Sequence, residues 1–350
     1  MSHKPKAPRL AGLDLARYLA FVGMVIVNFK IVMGAEGGSG FASYFMQLLE
    51  GRAAATFVVL AGLGLGLAHA RSGAANTRIT LKRAAFLLAI GLVNMLIFDA
   101  DILHYYAFYF LFGAFLLPLS TRALIWAIAL LNLAFVTMIF TLDYDIGWNW
   151  EDYSYTGFWT PSGFLRNLFF NGWHPVVPWL GFLLFGIVLS RLPLAARRTQ
   201  RALALAGLAA LLMASALSRA LSSWLAPLGP ELADLLTTSP IPPMPLYTLA
   251  GLGAASFTIG LCLMAEVRLA AWGVLALTAP AGRQTLTLYI AHILIGMGTL
   301  EALGLVGGQT PEAALLAALL FCAAATLYAR LWTRRFRRGP VEALMRRLAG

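Results

Sequence analysis

Ten apolar stretches separated by short polar segments dominate the hydropathy pattern of this 350-residue chain. They are continuous runs rather than alternating positions, and each approaches the roughly 20 apolar residues that a membrane-spanning helix needs. Because lipid offers no partner to an open sheet edge, continuous runs predict helices rather than a barrel. We predict spans near residues 13–33, 53–70, 82–98, 103–119, 122–142, 176–191, 199–221, 246–266, 284–304 and 311–332.

The predicted fold is an all-α polytopic integral membrane protein with about ten transmembrane helices, in one domain over residues 1–350. With 60% hydrophobic and 12% charged residues, the chain has too little polar surface for a soluble protein. Lys and Arg gather before span 1, between spans 2 and 3, between spans 6 and 7, and in a tail over 333–350, whereas Asp and Glu gather in the other segments. The positive-inside rule therefore predicts that both termini and the tail are cytoplasmic.

Charge and cysteine content exclude other classes. The net charge of +11 is spread over the segments of one topological side, so topology explains it better than a nucleic-acid partner does. Cys262 and Cys322 lie inside apolar spans, where a thiol usually packs. The sequence shows no disulfide framework, metal-ligand set, Walker loop or dinucleotide fingerprint.

The longest outward segment, residues 143–175, is acidic and rich in aromatic residues. A loop of this length is often functional or forms a lid. Trp and Tyr are also common at the membrane interface, so both interpretations stay open.

Ionisable groups are costly in a membrane, which makes His104 the leading candidate for chemistry. It begins span 4 directly after Asp99 and Asp101, at the outward face. A neighbouring carboxylate would orient the imidazole and raise its basicity, as a general base requires. The alternative is an interfacial histidine at a helix start.

Other polar residues are weaker candidates. His174 ends the long outer segment, and His292 lies near the middle of span 9, where a structural contact is at least as good an explanation. Asp14 and Arg17 share one helical face and form a structural ion pair by default. Arg283 follows Gly282 at a cytoplasmic helix start, which suits an anionic cofactor, although positive-inside anchoring explains it equally well.

Six blocks, in this order, carry a family resemblance over about residues 9 to 340: RLAGLDLARYLAFVGMVIVNF, EGRAAATFVVLAGLGLGLA, DILHYYAFYFLFGAFLL, HPVVPWLGFLLFGIVL, PPMPLYTLAGLGAASFTIGLCL and GRQTLTLYIAH. The ordered set resembles the heparan-alpha-glucosaminide N-acetyltransferase catalytic-domain group and the related YeiB-like bacterial proteins. The chain departs from the eukaryotic members where Tyr105, Tyr106 and Ala107 follow the histidine, so the resemblance does not extend to heparan as acceptor.

The resemblance implies a transmembrane acyltransferase of the bacterial inner membrane. It would move an acyl group, with acetyl the first expectation, from cytoplasmic acyl-CoA to an extracytoplasmic acceptor such as a sugar or envelope glycan. His104, supported by Asp101 or Asp99, would deprotonate the acceptor or transiently carry the acyl group, and both routes stay open. The cofactor-binding candidates on the basic side are Arg283, Arg83 and Arg78. The candidates to line a substrate cleft are His174, His292, Asp14, Arg17, Asn28 and Arg52.

Two other functions compete with the acyltransferase. A multi-pass transporter or exporter with a histidine-based proton relay would place ionisable residues in the middle of several spans, whereas these spans hold few acids. A non-catalytic envelope protein would tolerate loss of His104. The partners expected are membrane lipid, a small-molecule or glycan acceptor and a second copy of the chain in a homodimer, with no nucleic acid and no metal.

Overall fold

The computed structural model describes residues 10–73 and 75–350, and helices make up most of this part of the chain. The helices are α1 (Ala11–Val32), α2 (Phe41–Leu49), α3 (Arg52–Ser72), α4 (Ala75–Asn94), α5 (Leu103–Leu116), α6 (Thr121–Thr141), α7 (Pro161–Arg166), α8 (Val176–Leu189), α9 (Arg197–Leu225), α10 (Pro230–Asp234), α11 (Pro245–Ala271), α12 (Val274–Gly282), α13 (Thr285–Ala291), α14 (Gly298–Ala302), α15 (Pro311–Thr333) and α16 (Pro340–Ala349). Two π-helical turns extend α7 and α13, over Asn167–Asn171 and His292–Met297.

Seven helices in the described ranges are long and apolar enough to cross a membrane. The number becomes eight if α7 and α8, which meet at 52°, form one bent span. This confirms the prediction of an all-α membrane protein. The number ten and the cytoplasmic location of the termini stay predictions.

Two predicted spans correspond to helices that fail this test of length and composition. The span predicted at 82–98 corresponds to α4, which begins earlier, at Ala75, and so contains Arg78 in addition to Lys82 and Arg83. The span predicted at 103–119 corresponds to α5, an apolar helix of 14 residues. A helix of that length rises only about 21 Å, less than the roughly 30 Å hydrocarbon layer.

Glycines bring the central helices into close contact. A Cβ on Gly62 of α3 would overlap the backbone of Leu183 in α8, and a Cβ on Gly186 of α8 would overlap the backbone of Val59. Helices α9 and α11 are joined in the same way, with Gly207 against Phe257. Small residues at helix crossings are the usual packing device in membranes, because van der Waals contact replaces the hydrophobic effect there.

The two ends of the helix bundle differ in charge. We call one end, which carries Arg83, Arg283 and helix α16, the basic end. We call the other, which carries Asp99 and residues 155–160, the acidic end. These terms describe the molecule without assigning either end to a side of the membrane.

The two segments predicted as a loop and a tail contain regular structure. Residues 143–175 hold an antiparallel hairpin of β1 (Trp148–Asn149) and β2 (Ser154–Tyr155), followed by α7 and its π-helical turn. Within the 333–350 segment, α16 packs against α4 and α13. Its Val341 N–H donates a 3.0 Å hydrogen bond to Thr287 Oγ1.

Candidate functional site

Asp101 lies completely buried in the turn that joins α4 to α5. Its carboxylate accepts hydrogen bonds from Leu103 N (2.7 Å), Asn94 Nδ2 (3.1 Å) and Tyr289 Oη (3.0 Å). The bond to Leu103, two residues ahead, is the local turn that short acidic side chains favour. Three donors satisfy most of the demand of a buried carboxylate, so Asp101 has a fixed orientation.

His104 follows Asp101 by one helical turn and is also completely buried. Its Nδ1 lies 3.7 Å from Asp101 Oδ2, which is ion-pair distance and longer than a hydrogen bond. Neither ring nitrogen has a hydrogen-bond partner in the described part of the chain. Buried polar atoms are nearly always paired, so an imidazole with two unpaired nitrogens is a candidate for reaction. Catalytic hydrogen bonds are often long before substrate binds.

Aromatic rings enclose His104 on the acidic side. Its ring lies 3.8 Å from the Tyr105 centroid and 5.6 Å from the Phe158 centroid. Phe158 also lines a pocket of about 240 Å³ with Met95, Asp99, Tyr155, Gly157, Trp159 and Thr160. One ring therefore separates this acidic-end pocket from His104.

Asp99 lines this pocket, whereas the carboxylate of Asp101 lies 3.7 Å from His104 Nδ1. Partial removal of water in the pocket, with a smaller contribution from the charge of Asp152, raises the pKa of Asp99 above its usual 3.8. A carboxyl group in this position can accept hydrogen bonds from a ligand in the pocket.

His174 lies in the break between α7 and α8, close to the same cluster. Its ring is 5.9 Å from Tyr105 and 4.6 Å from Trp179, and its backbone oxygen accepts a 2.5 Å hydrogen bond from Tyr109 Oη. The Nδ1 atom is buried without a partner in the described residues. His174 therefore belongs to the surroundings of His104, from which the ring of Tyr105 separates it.

His292 is buried in the π-helical turn that follows α13. Its Nε2 is 2.9 Å from Asn28 Nδ2, and its Nδ1 contacts the backbone oxygen of Tyr289. Both ring nitrogens thus have partners, as expected of a structural histidine. Single π-helical turns are nevertheless frequent at functional sites.

A large pocket opens at the basic end, with a volume of about 560 Å³. Arginines from four parts of the chain line it, together with apolar residues at its floor. The charged lining residues are Asp14, Arg17, Arg83, Arg283, Arg337, Arg338, Glu342 and Arg346. We call the apolar lining residues, which include Leu60, Leu65, Phe110 and Leu286, the floor of the pocket.

Like charges are concentrated in this pocket. Arg17 Nη1 bonds Asp14 Oδ1 at 2.8 Å, as the spacing predicted. Arg83 interacts repulsively with Arg338 and Arg346. Six arginines against Asp14 and Glu342 leave the pocket with an excess of positive charge, which attracts anions, and arginines suit phosphate especially well. The lining therefore suits a ligand that has phosphate at one end and an apolar or neutral group at the other.

The pocket includes some of the predicted residues and excludes others. Arg83, Arg283, Asp14 and Arg17 line it, whereas Arg78 is exposed elsewhere on α4. The backbone amides of Leu286 and Thr287 at the start of α13 donate to Glu342 Oε1 (2.8 and 3.1 Å), so they are already occupied. A phosphate near Arg283 would therefore depend on the arginine side chains and not on that helix start.

Arg52 and Asn28 lie away from this pocket. Arg52 Nη2 donates a 3.1 Å hydrogen bond to Thr238 Oγ1, and Nη1 donates to the backbone oxygens of Gln47 and Leu48 (3.3 Å each). Its Nε is buried without a partner in the described residues, and a place for Arg52 in a substrate cleft stays a prediction. Asn28 is the partner of His292.

A short distance separates the pocket floor from His104. Phe110 lies six residues after His104 on α5, which corresponds to a rise of about 9 Å. Between them Tyr106 contacts Phe57 (6.1 Å) and Phe110 (6.3 Å) through ring centroids. We call Phe57, Tyr106 and Phe110 the aromatic layer. Along α5, Tyr106 of this layer lies between His104 and Phe110, which lines the pocket.

Sequence reasoning did not identify three polar residues around this site: Asn94, Tyr289 and Glu342. Asn94 ends α4 seven residues before Asp101, so a search for polar residues flanking the acidic turn could have found it. Tyr289 and Glu342 give no local signal because their partners are 188 and 55 or 56 residues away. No group of three or more metal-ligating side chains occurs in the residues described.

The fold and the site together define a multi-pass membrane protein with a buried histidine–carboxylate pair beyond a basic pocket. Residues 9–221 match the family model described as heparan-alpha-glucosaminide N-acetyltransferase, catalytic. Residues 194–350 match a second model, described as protein of unknown function (DUF418). Because the first match covers more than half of the chain, the protein belongs to the heparan-alpha-glucosaminide N-acetyltransferase catalytic family, which confirms the resemblance. No curated protein and no solved structure matches the chain.

Proposed function

We propose that this protein is a membrane-embedded acyltransferase. It takes an acyl group, acetyl being the first to test, from acyl-CoA at the basic end and transfers it to an acceptor at the acidic end. Membership of an N-acetyltransferase family supports the reaction class. The observation that carries the proposal is His104, which is buried, faces Asp101 and has no hydrogen-bond partner for either ring nitrogen among the described residues. On α5 it lies near Phe110 of the basic pocket, and its ring contacts Phe158 of the acidic-end pocket.

The basic pocket would hold CoA. Arg83, Arg283 and Arg346 would contact its phosphates, because guanidinium groups bind phosphate through paired hydrogen bonds. The apolar floor formed by Leu60, Phe110 and Leu286 would receive the thioester end. The acyl group then needs the aromatic layer to open, since Tyr106 and its neighbours lie between this floor and His104.

His104 would perform the transfer with Asp101 as its partner. Asp101 is held by three donors and stabilises the positive charge that develops on the imidazole. In one route His104 takes the proton of the acceptor as the acceptor attacks the thioester, the C–S bond breaks, and the imidazolium returns that proton to the departing CoA thiolate. In the other, the imidazole attacks first, so the C–S bond breaks, an acyl–nitrogen bond forms, and the ring proton passes to the CoA thiolate. The acceptor then attacks the acyl group, the acyl–nitrogen bond breaks, and the acceptor's proton returns to the imidazole.

The acidic-end pocket would bind the acceptor. It offers the carboxyl group of Asp99 for hydrogen bonding, while the hydroxyl of Thr160 already bonds Gly157 O and Gly163 N, and Phe158 contacts both the pocket and His104. This carboxyl group suits a small molecule or a glycan with hydroxyl or amino groups. In the bacterial inner membrane, with the basic end in the cytoplasm as the positive-inside rule directs, acyl groups would move outward.

The test measures CoA release by purified protein in detergent supplied with acetyl-CoA labelled in the acetyl group. Wild type is compared with His104→Ala and with the control His69→Ala, which changes a histidine of α3 outside both pockets. We expect CoA release from wild type and the control and none from His104→Ala. Acetyl label retained on the protein without acceptor would favour the acyl–imidazole route.

The competing transporter makes the opposite prediction. If wild type and His104→Ala neither release CoA nor bind acetyl-CoA, while both retain their thermal unfolding transition, the acyltransferase proposal is wrong. Proton-coupled uptake into vesicles would then be the next measurement, because a histidine relay would make it depend on His104.

A further inference from the structure

Tyr289 connects the candidate catalytic pair to a distant helix. It lies on α13, is only 3% exposed, and lines neither pocket. Its hydroxyl donates to Asp101 Oδ1 at 3.0 Å and accepts a hydrogen bond from Ile102 N at 3.2 Å. One phenol group therefore fixes both the carboxylate and the backbone of the turn that precedes His104.

We infer that Tyr289 is a positioning residue for acyl transfer, which acts through Asp101 and makes no contact with substrate. The inference rests on the proposed function. Asp101 Oδ1 receives hydrogen bonds from Tyr289 and Asn94, which leaves Oδ2 turned toward Leu103 N and His104 Nδ1. Without the phenol, Oδ1 keeps only the longer bond to Asn94, and the carboxylate can rotate away from His104.

The position of Tyr289 on α13 adds a second element to this inference. Three residues earlier, Leu286 lies in the floor of the basic pocket, and Thr285 and Arg283 line its wall. One helical turn, a rise of about 4.5 Å, therefore separates the pocket floor from the residue that holds Asp101. The same helix contributes to the pocket for the donor and to the orientation of the catalytic carboxylate.

The far end of α13 is anchored as well. The backbone oxygen of Tyr289 contacts His292 Nδ1, and His292 Nε2 pairs with Asn28 of α1. At the other end Glu342 binds the amides of Leu286 and Thr287. Because both ends of α13 are held, Tyr289 has a defined position from which to fix Asp101.

The test is Tyr289→Phe, which removes only the hydroxyl. We expect kcat for acyl transfer to fall about 10- to 100-fold, as for a lost hydrogen bond to a charged group. The KM for acetyl-CoA should stay within about twofold, since the phenol does not line the pocket. The matched control is Tyr247→Phe, which removes a buried tyrosine hydrogen bond of the same length, 3.0 Å to Gly51 O, away from Asp101. It should leave kcat unchanged.

A double-mutant cycle separates positioning from a general loss of structure. If Tyr289 acts through Asp101, then Tyr289→Phe has little further effect in an Asp101→Asn background, because the group it orients is already altered. Full additivity of the two effects would overturn the inference, as would a Tyr289→Phe enzyme with the kcat of wild type. An inactive wild type would instead refute the proposed function itself.

Discussion

Gly91 of α4 offers a direct test of whether the backbone position of His104 matters. A Cβ at Gly91 would lie 2.8 Å from His104 Cα and from Leu103 C, and closer still to His104 N. Atoms in contact prefer about 3.5 Å, so Gly91→Ala must separate α4 and α5 by about 0.7 Å to relieve the carbon contacts and by about 1 Å to relieve the contact with His104 N. The atoms in the way are backbone atoms, which cannot rotate aside.

The cost of this substitution has two parts. Overpacking of this kind destabilises a protein by about 1–3 kcal/mol. The larger effect falls on activity, because a displacement of about 1 Å in a catalytic group can reduce the rate about 100-fold. The separation of His104 Nδ1 and Asp101 Oδ2 is already 3.7 Å. Both residues belong to the turn and the first residues of α5, which must move away from α4 when Gly91 gains a Cβ.

We therefore expect Gly91→Ala to lose between 90% and 99% of acyl transfer, as a ~10- to 100-fold effect, while acetyl-CoA binding is retained. Transfer of labelled acetyl, acetyl-CoA affinity and thermal unfolding are measured on the same detergent preparation. The control is Gly298→Ala, since Gly298 is helical with nothing within 4 Å of its Cβ position. It should be neutral or stabilising by up to about 1 kcal/mol. Full activity in a folded Gly91→Ala protein would refute the role given to His104.

Three further predictions concern the two pockets. Arg83→Ala and Arg346→Ala should each weaken acetyl-CoA binding about tenfold at low salt. The control Arg78→Ala, which changes an exposed arginine outside the pocket, should not weaken it. Equal effects of all three substitutions in calorimetric titrations would contradict the assignment of the basic pocket to CoA. Glu342→Gln should lower stability by about 1–2 kcal/mol, because Leu286 N and Thr287 N lose a charged acceptor. The variant should bind acetyl-CoA more tightly, because one negative charge leaves the pocket. An unchanged melting temperature would count against a stabilising role for the bonds from Glu342 to these two amides. The pKa of Asp99 is higher in the folded protein than the usual 3.8. Between pH 3.8 and that higher pKa, Asp99 keeps its proton in the folded protein and loses it in the unfolded chain. The free energy of unfolding therefore falls as pH rises through this window. Asp99→Asn should match wild type in melting temperature below pH 3.8 and exceed it slightly above, and a difference that shrinks as pH rises would reverse this sign.

Hydropathy predicts most helix positions because burial in lipid dominates their energetics. The span predicted at 311–332 is Pro311–Thr333, and that at 13–33 is Ala11–Val32. The span predicted at 82–98 is displaced from Ala75–Asn94 because three basic residues lie inside the helix and Asn94 turns toward Asp101. The hairpin and helix within 143–175 depend on aromatic and amide contacts across that segment, which hydropathy does not report.

The candidate site divides in the same way between local and distant contacts. Asp101 and His104 are three residues apart, so their proximity follows from helical spacing. Tyr289 reaches Asp101 from 188 residues away, and only the packing of α13 against the turn brings them together. The arginines at 337, 338 and 346 read as a basic tail, because no local pattern shows that α16 folds back over the pocket.

In the proposed route, the aromatic layer also bears on the membrane potential. Tyr106 contacts both Phe57 and Phe110, so aromatic rings rather than charged groups stand on that route between the basic pocket and His104. Each charge that crosses a potential of 100 mV releases about 2.3 kcal/mol, so a water-filled route through the protein would dissipate the membrane potential. A neutral acyl group passed between fixed groups crosses without that loss, and chemical transfer can therefore proceed in a membrane that stays energised.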